Sequence, residues 1–140
     1  MTNIIAGIDS QNNVRMELVI LGLYKSIPYG GIIDTGFSGG LVMPLVTAVE
    51  LGLTKTGAST VTLADGSVNV VPTFLCQVKI GGVTQDATTL IMGNEVLVGM
   101  ELMTPFKFTM ISKTGSVELI EWDSDENFNQ LAETLRRLGG

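Results

Sequence analysis

Between Val14 and Leu21 the chain first alternates apolar and polar side chains, Val14-Arg15-Met16-Glu17, and then runs apolar, Leu18-Val19-Ile20-Leu21. A period of two that closes into an apolar run predicts a strand passing from a half-exposed into a buried layer. Ile32-Ile33 is a second apolar approach, ending at Asp34 and the glycine-bearing turn Thr35-Gly36-Phe37-Ser38-Gly39-Gly40. Leu41-Val42-Met43 predicts a short strand. Pro44 and Gly52 then bracket residues 45–51 as a short helix, because proline is tolerated in a helix's first turn and glycine just past its end.

Further along, residues 59–64 and 67–71 are rich in Val, Thr and Ser and flank Asp65-Gly66. Asp-Gly between two such runs predicts a projecting β-hairpin with a type I′ turn, whose central residues both need positive φ. Residues 74–80 and 83–92, joined by Gly81-Gly82, predict a second hairpin. Val96-Leu97-Val98-Gly99 is a short buried run, Met100-Glu101-Leu102-Met103 one helical turn stopped near Pro105, and residues 106–111 and 116–122 a final hairpin around Lys113-Thr114-Gly115. The tail changes character. Acids at Asp123, Asp125 and Glu126, the pair Arg136-Arg137 and one face carrying Phe128, Leu131, Leu135 and Leu138 predict an amphipathic helix. The expected organisation is one all-β domain over residues 1–122, with residues 123–140 as a helix of the same domain, serving as a lid or as a dimer or partner contact.

Composition narrows the chemistry. The chain has 140 residues, 45% of them hydrophobic, enough to bury roughly two-thirds of the surface its unfolded form exposes. It has no histidine, so Ser-His-Asp and Cys-His catalysis and nearly all zinc enzymes lack a required residue. Carboxylate chemistry is what remains. A net charge of −6, with eight Lys and Arg spread along the chain and only Arg136-Arg137 adjacent, offers no basic stripe for nucleic acid. No apolar run reaches the roughly 20 residues of a membrane helix, and Met1-Thr2-Asn3-Ile4-Ile5 lacks the basic flank of a signal peptide, so a cytoplasmic protein with no membrane partner is expected. Cys76 lies in the apolar stretch 74–78, where a buried small hydrophobe is expected.

Asp34 is the residue with chemistry to offer. An aspartate followed closely by glycine is common in ordinary turns, and Asp34 alone would be read so; Asp9, Asp86, Asp123 and Asp125, which have no comparable apolar approach, are expected as surface carboxylates. A phosphoaspartate enzyme would need further acids for magnesium and alternating strands and helices, neither of which the pattern contains.

Gly31-Ile32-Ile33-Asp34-Thr35-Gly36-Phe37-Ser38-Gly39, the Asp65-Gly66 hairpin and Val96-Leu97-Val98-Gly99-Met100-Glu101-Leu102, in that order over residues 13–122, resemble the single-domain retropepsin-like aspartic proteases. The prokaryotic branch, in which Phe commonly follows Asp-Thr-Gly, is the nearer likeness. The resemblance implies a closed acid-protease barrel with a flap hairpin, and a homodimer, since the chain has a single Asp-Thr-Gly. It implies Asp34 as the catalytic residue, Thr35 and Gly36 as support of the catalytic loop, and Leu97, Val98 and Gly99 packing beside it. Phe37, Ser38, Leu97, Val98, Gly99 and the flap tip Ala64, Asp65, Gly66 and Ser67 are the implied substrate-binding residues.

The implied reaction is peptide hydrolysis without metal or cofactor. Two Asp34 carboxylates sharing a proton across the dimer would titrate as a pair, with activity at acidic to mildly acidic pH. Viral members carry a small residue directly after Asp-Thr-Gly and an aspartate next but one, where this chain has Phe37 and Ser38, so the resemblance implies no particular substrate sequence. A non-catalytic peptide- or protein-binding homodimer on the same scaffold is the alternative, and a monomeric β-barrel adaptor a third reading.

Overall fold

The computed structural model describes residues 4–122 and 124–139, and of residues 124–130 the backbone alone. It is mostly β, with three helices. β1 (Ala6–Ile8), β2 (Val14–Leu21) and β3 (Ser26–Ile33) form an antiparallel meander. β4 (Leu41–Met43) leads through α1 (Leu45–Leu51) to β5 (Thr54–Thr62), β6 (Val68–Ile80) and β7 (Val83–Ile91). β8 (Leu97–Val98) and α2 (Met100–Met103) follow, and then β9 (Phe106–Ile111), β10 (Ser116–Glu121) and α3 (Ser124–Arg137). Eight strands make one sheet in the order β1-β2-β3-β8-β4-β7-β6-β5, and β9 pairs with β10 separately.

The sheet bends back on itself because β6 is long enough to hold two neighbours on one edge. Its first half pairs with β5 as far as Leu75, and Gln77, Val78 and Lys79 pair with Leu21, Ile20 and Val19 of β2. Met16, Leu18 and Ile20 of β2 point into the enclosed space and are buried, together with Leu41, Val78 and Val98 from strands across it. Val19 and Leu21 stay half-buried, so the apolar end of β2 keeps its alternation rather than becoming two-sided core.

α1 has the expected punctuation. Pro44 is its N-cap, and Gly52 takes the left-handed conformation at φ 73°, its N–H reaching the carbonyls of Ala48 and Val49. This is the geometry glycine supplies at a helix end. Gly81-Gly82 does form a two-residue turn between paired Ile80 and Val83, with Gly81 at φ 58°.

The Asp65-Gly66 turn is different from the type I′ expectation. Leu63 N–H donates to Ser67 O and Gly66 N–H to Leu63 O, at 2.8 and 2.9 Å, so the loop has three residues, Ala64, Asp65 and Gly66. Only Gly66 has positive φ, 85°. Asp65 keeps negative φ because its carboxylate accepts the N–H and hydroxyl of Ser67 at 2.9 and 2.6 Å, closing a type I turn followed by a left-handed glycine. From Val68 to Pro72 β6 has β5 on one side and no strand on the other, so Pro72's missing N–H forfeits no ladder bond and the strand runs on unbroken.

The final hairpin matches the pattern, Trp122 closing it by donating to Pro105 O at 3.1 Å. Of the predicted amphipathic face, Leu131, Leu135 and Leu138 are exposed, so among the described residues the helix's leucines are not packed as a lid. Asp123 and the side chains of Asp125, Glu126 and Phe128 lie outside the described residues. Among the described residues no helix is long and apolar enough to cross a membrane.

Candidate active site

Asp34 is the first residue beyond β3, and its position is set by β8. Ile32 N–H donates to Val96 O and Asp34 N–H to Val98 O, both at 2.9 Å. β8 therefore runs parallel to β3, with Ile32 opposite Leu97 and Ile33 opposite Val98. On its other edge β8 runs antiparallel to β4, with Leu41 opposite Val98 and Val42 opposite Leu97. A strand from late in the chain is thus inserted between two strands that are consecutive in sequence, and residues 34–40 must arch over its end.

Backbone hydrogen bonds hold the arch from below. Gly99 N–H donates to Gly40 O at 2.7 Å, Met100 N–H to Phe37 O at 2.8 Å and Glu101 N–H to Gly39 O at 3.2 Å. Three glycines make the approach close enough. A Cβ on Gly99 would overlap the Gly39 carbonyl, one on Gly39 would lie 2.7 Å from Phe37 Cζ, and one on Gly31 would lie 2.8 Å from Val98 Cγ2. The Phe37 ring therefore has a structural post, lying against Gly39 of the arch and Gly99 below it.

Within the arch Asp34 Oδ1 accepts the Gly36 N–H at 3.0 Å, and among the described residues no group donates to Oδ2. The carboxylate is half-buried, with Thr35, Gly36 and Ser38 exposed beside it. Thr35 and Ser38 side chains have no hydrogen-bond partner among the described residues of the single chain.

Asp34 borders a cleft of about 410 Å³. Its walls are apolar: Ile32, Val42, Val61, Leu90 and Leu97 from five strands, with Phe37 from the arch, closed by the connection Met92-Gly93-Asn94-Glu95. The size and lining suit a ligand that buries a bulky apolar group beside one oriented polar group. A larger cleft, about 530 Å³, lies along β1 and does not include Asp34. Its charged members include Asp9 and Arg15, paired with each other at 2.6 Å.

Of the residues to which the sequence points, Asp34, Phe37 and Leu97 line the cleft. Val98 is fully buried behind it, and Gly99 lies under the arch. Ala64, Asp65, Gly66 and Ser67 form the exposed hairpin tip, outside the lining; the hairpin's contribution to the wall is Val61. Val61, Leu90 and Glu95 join the cleft without standing out in the sequence. Their local signals are an inward position on a strand and the Gly93-Asn94 turn, and neither says which wall they join.

No family model and no curated protein matches this chain. The chemistry of the site therefore rests on its own residues.

Asp9, expected as a plain surface carboxylate, is half-buried and organises its loop. Its Oδ1 accepts the N–H groups of Gln11 and Asn13 at 2.9 and 3.0 Å, and its Oδ2 accepts Arg15 Nε at 2.6 Å. The Arg15 guanidinium first, then the Asn13 N–H, lower its pKa to about 2. Arg15 also donates to Gly30 O at 2.9 Å and reaches Glu95 at 3.4 Å. One guanidinium thus ties the β1–β2 connection to β3 and to the rim of the Asp34 cleft. Cys76 is buried as expected, 3.3 Å from the Thr89 hydroxyl, and burial raises its thiol pKa. Among the described residues no three His, Cys, Asp or Glu side chains are grouped to hold a metal ion.

Proposed function

We propose that this chain is half of an aspartic endopeptidase of the retropepsin-like kind, closed as a barrel and completed by a second copy. The observation that carries the reading is the state of Asp34: held on a backbone arch pinned to β8, with Oδ1 on the Gly36 N–H and Oδ2 unpartnered among the described residues, at the edge of an apolar cleft. The exposed Thr35 beside it supplies a hydroxyl with no partner among the described residues of its own chain, suited to bonding the equivalent loop of a second copy.

Two Asp34 carboxylates brought together across a two-fold axis share one proton, since like charges about 3 Å apart do not both ionise. The ionised carboxylate takes a proton from a water whose oxygen attacks the amide carbon. The protonated partner hydrogen-bonds the amide oxygen and stabilises the charge that develops there. Transfer of a proton to the amide nitrogen then releases the amine as the C–N bond breaks, leaving a new carboxylic acid. The β5–β6 hairpin acts as the flap, with Val61 turned to the cleft and the Ala64–Ser67 tip reaching over the substrate.

The test is digestion of a peptide library at several pH values by the wild type and Asp34→Asn, with sedimentation of both. The expected result is a dimer whose cleavage falls at least about 10²-fold in Asp34→Asn, the scale of a lost acid–base group, without loss of fold. Cleavage that persists in Asp34→Asn, or a monomer at high micromolar concentration that cleaves, refutes this assignment. Binding of peptides by a wild-type dimer that cleaves none of them would assign the scaffold to peptide recognition instead.

A further inference from the structure

We infer that Glu95 is a specificity-determining residue of the Asp34 cleft, drawing substrates that carry Lys or Arg close to the bulky apolar residue the cleft takes. This deepens the peptidase reading and rests on it.

The cleft is apolar apart from Asn94 and two carboxylates, Asp34 and Glu95, and no lysine or arginine among the described residues lines it. Glu95 has a fixed place. The next residue, Val96, is buried and its carbonyl accepts, at 2.9 Å, the N–H of Ile32, two residues before Asp34. The Glu95 backbone is therefore carried at a constant offset from Asp34.

Arg15 does not cancel its charge. The short bonds of that guanidinium go elsewhere, to Asp9 at 2.6 Å and Gly30 O at 2.9 Å. Its two contacts with Glu95 are long, 3.4 and 3.5 Å, and the Glu95 side chain is 48% exposed. Two carboxylates facing one guanidinium leave one net negative charge, and Glu95 is the member open to the cleft. In a two-fold dimer that charge recurs once in each subunit. Arg15 is a positioning residue here: it fixes the Glu95 carboxylate against the rim while leaving it lone pairs for a substrate cation.

The experiment uses a peptide series with one bulky apolar residue, the neighbouring positions being varied among Lys, norleucine and Glu. Cleavage rates are compared for wild type, Glu95→Gln and Glu95→Lys. Exposed ion pairs of this kind correspond to a preference of about two- to fivefold in kcat/KM. Wild type should favour Lys over norleucine by that factor at one or more positions, and about 0.5 M salt should erode the preference. Glu95→Gln should abolish it, and Glu95→Lys should shift the preference to Glu. The same profile in all three proteins overturns the inference.

Binding separates this result from failure of the peptidase reading. The same peptides with the scissile amide reduced are titrated against Asp34→Asn, with and without Glu95→Gln. A Lys preference in binding that Glu95→Gln removes supports the role of Glu95 even if no peptide is cleaved. Binding that is indifferent to the neighbouring residue, or absent, overturns it. Thermal melts of each variant, with Glu95→Asp as a charge-retaining control that should keep the Lys preference, separate specificity from a folding defect.

Discussion

Gly99→Ala probes the joint on which the site depends. Gly99 has φ −87° and ψ 170°, an extended conformation any residue adopts, so alanine carries no backbone penalty there. The obstacle is space. A Cβ would overlap the Gly39 carbonyl oxygen, approach the Gly39 carbonyl carbon to 2.8 Å and lie 2.7 Å from Phe37 Cδ2. Overpacking that side chains can absorb costs roughly 1–3 kcal/mol. Here backbone must yield, and the yielding strains the Gly99–Gly40 and Glu101–Gly39 hydrogen bonds, so the expected cost is about 3 kcal/mol, the upper end of that range. An unfolding entropy of about 2.1 cal/mol/K per residue over 140 residues makes that a fall in Tm of about 10 °C. Any peptidase activity should fall further than stability explains, because the group displaced is the arch that aims Asp34. Gly30→Ala is the control: nothing lies within 4 Å of a Cβ there, and its Tm should stay within about 3 °C of wild type. Calorimetry or circular-dichroism melts of the two variants decide the matter. If Gly99→Ala melts with Gly30→Ala, the close approach of β8 to the arch is not what holds the site.

Two further outcomes follow from charge and burial. The Asp9 carboxyl, held down to about 2 from 3.8 by Arg15 and backbone N–H groups, favours the folded state above its unfolded pKa, and that contribution is lost as pH falls from about 4 through 2. Asp9→Asn should therefore lower the urea midpoint near pH 6, with the gap from wild type closing near pH 2; a gap independent of pH refutes the pairing. The Cys76 thiol, buried and raised in pKa, should react with a thiol reagent at pH 8 at least about 100-fold slower in the folded than in the urea-unfolded protein. Equal rates would show that β6 and β7 do not enclose it.

Local chemistry is legible in the residues themselves. Pro44 and Gly52 bound a helix whatever surrounds them, because one lacks an N–H and the other tolerates positive φ, and Gly81-Gly82 sets a hairpin for the same local reason. Asp65-Gly66 marks a turn but not its type, since the choice depends on Asp65 bonding Ser67 rather than on glycine alone. Asp9 reads as a surface acid because its importance lies in Arg15, and Arg15's in Glu95, across 80 positions of chain.

The sequence by itself determined that an aspartate ends an apolar approach and that no histidine is available to any chemistry, and it marked most strands through β-rich runs and the turn residues between them. Only the tertiary structure decided that β8 lies between β3 and β4, that β6 holds β2 and β5 on one edge, and that Asp34, Val61, Leu90 and Glu95 share one cleft. Side-chain alternation tells a strand which face to bury, whereas hydrogen bonding between backbones is the same for every residue type and names no partner. That pairing is settled by which arrangement fills the core and lets the glycines of the arch meet β8, a property of the whole chain.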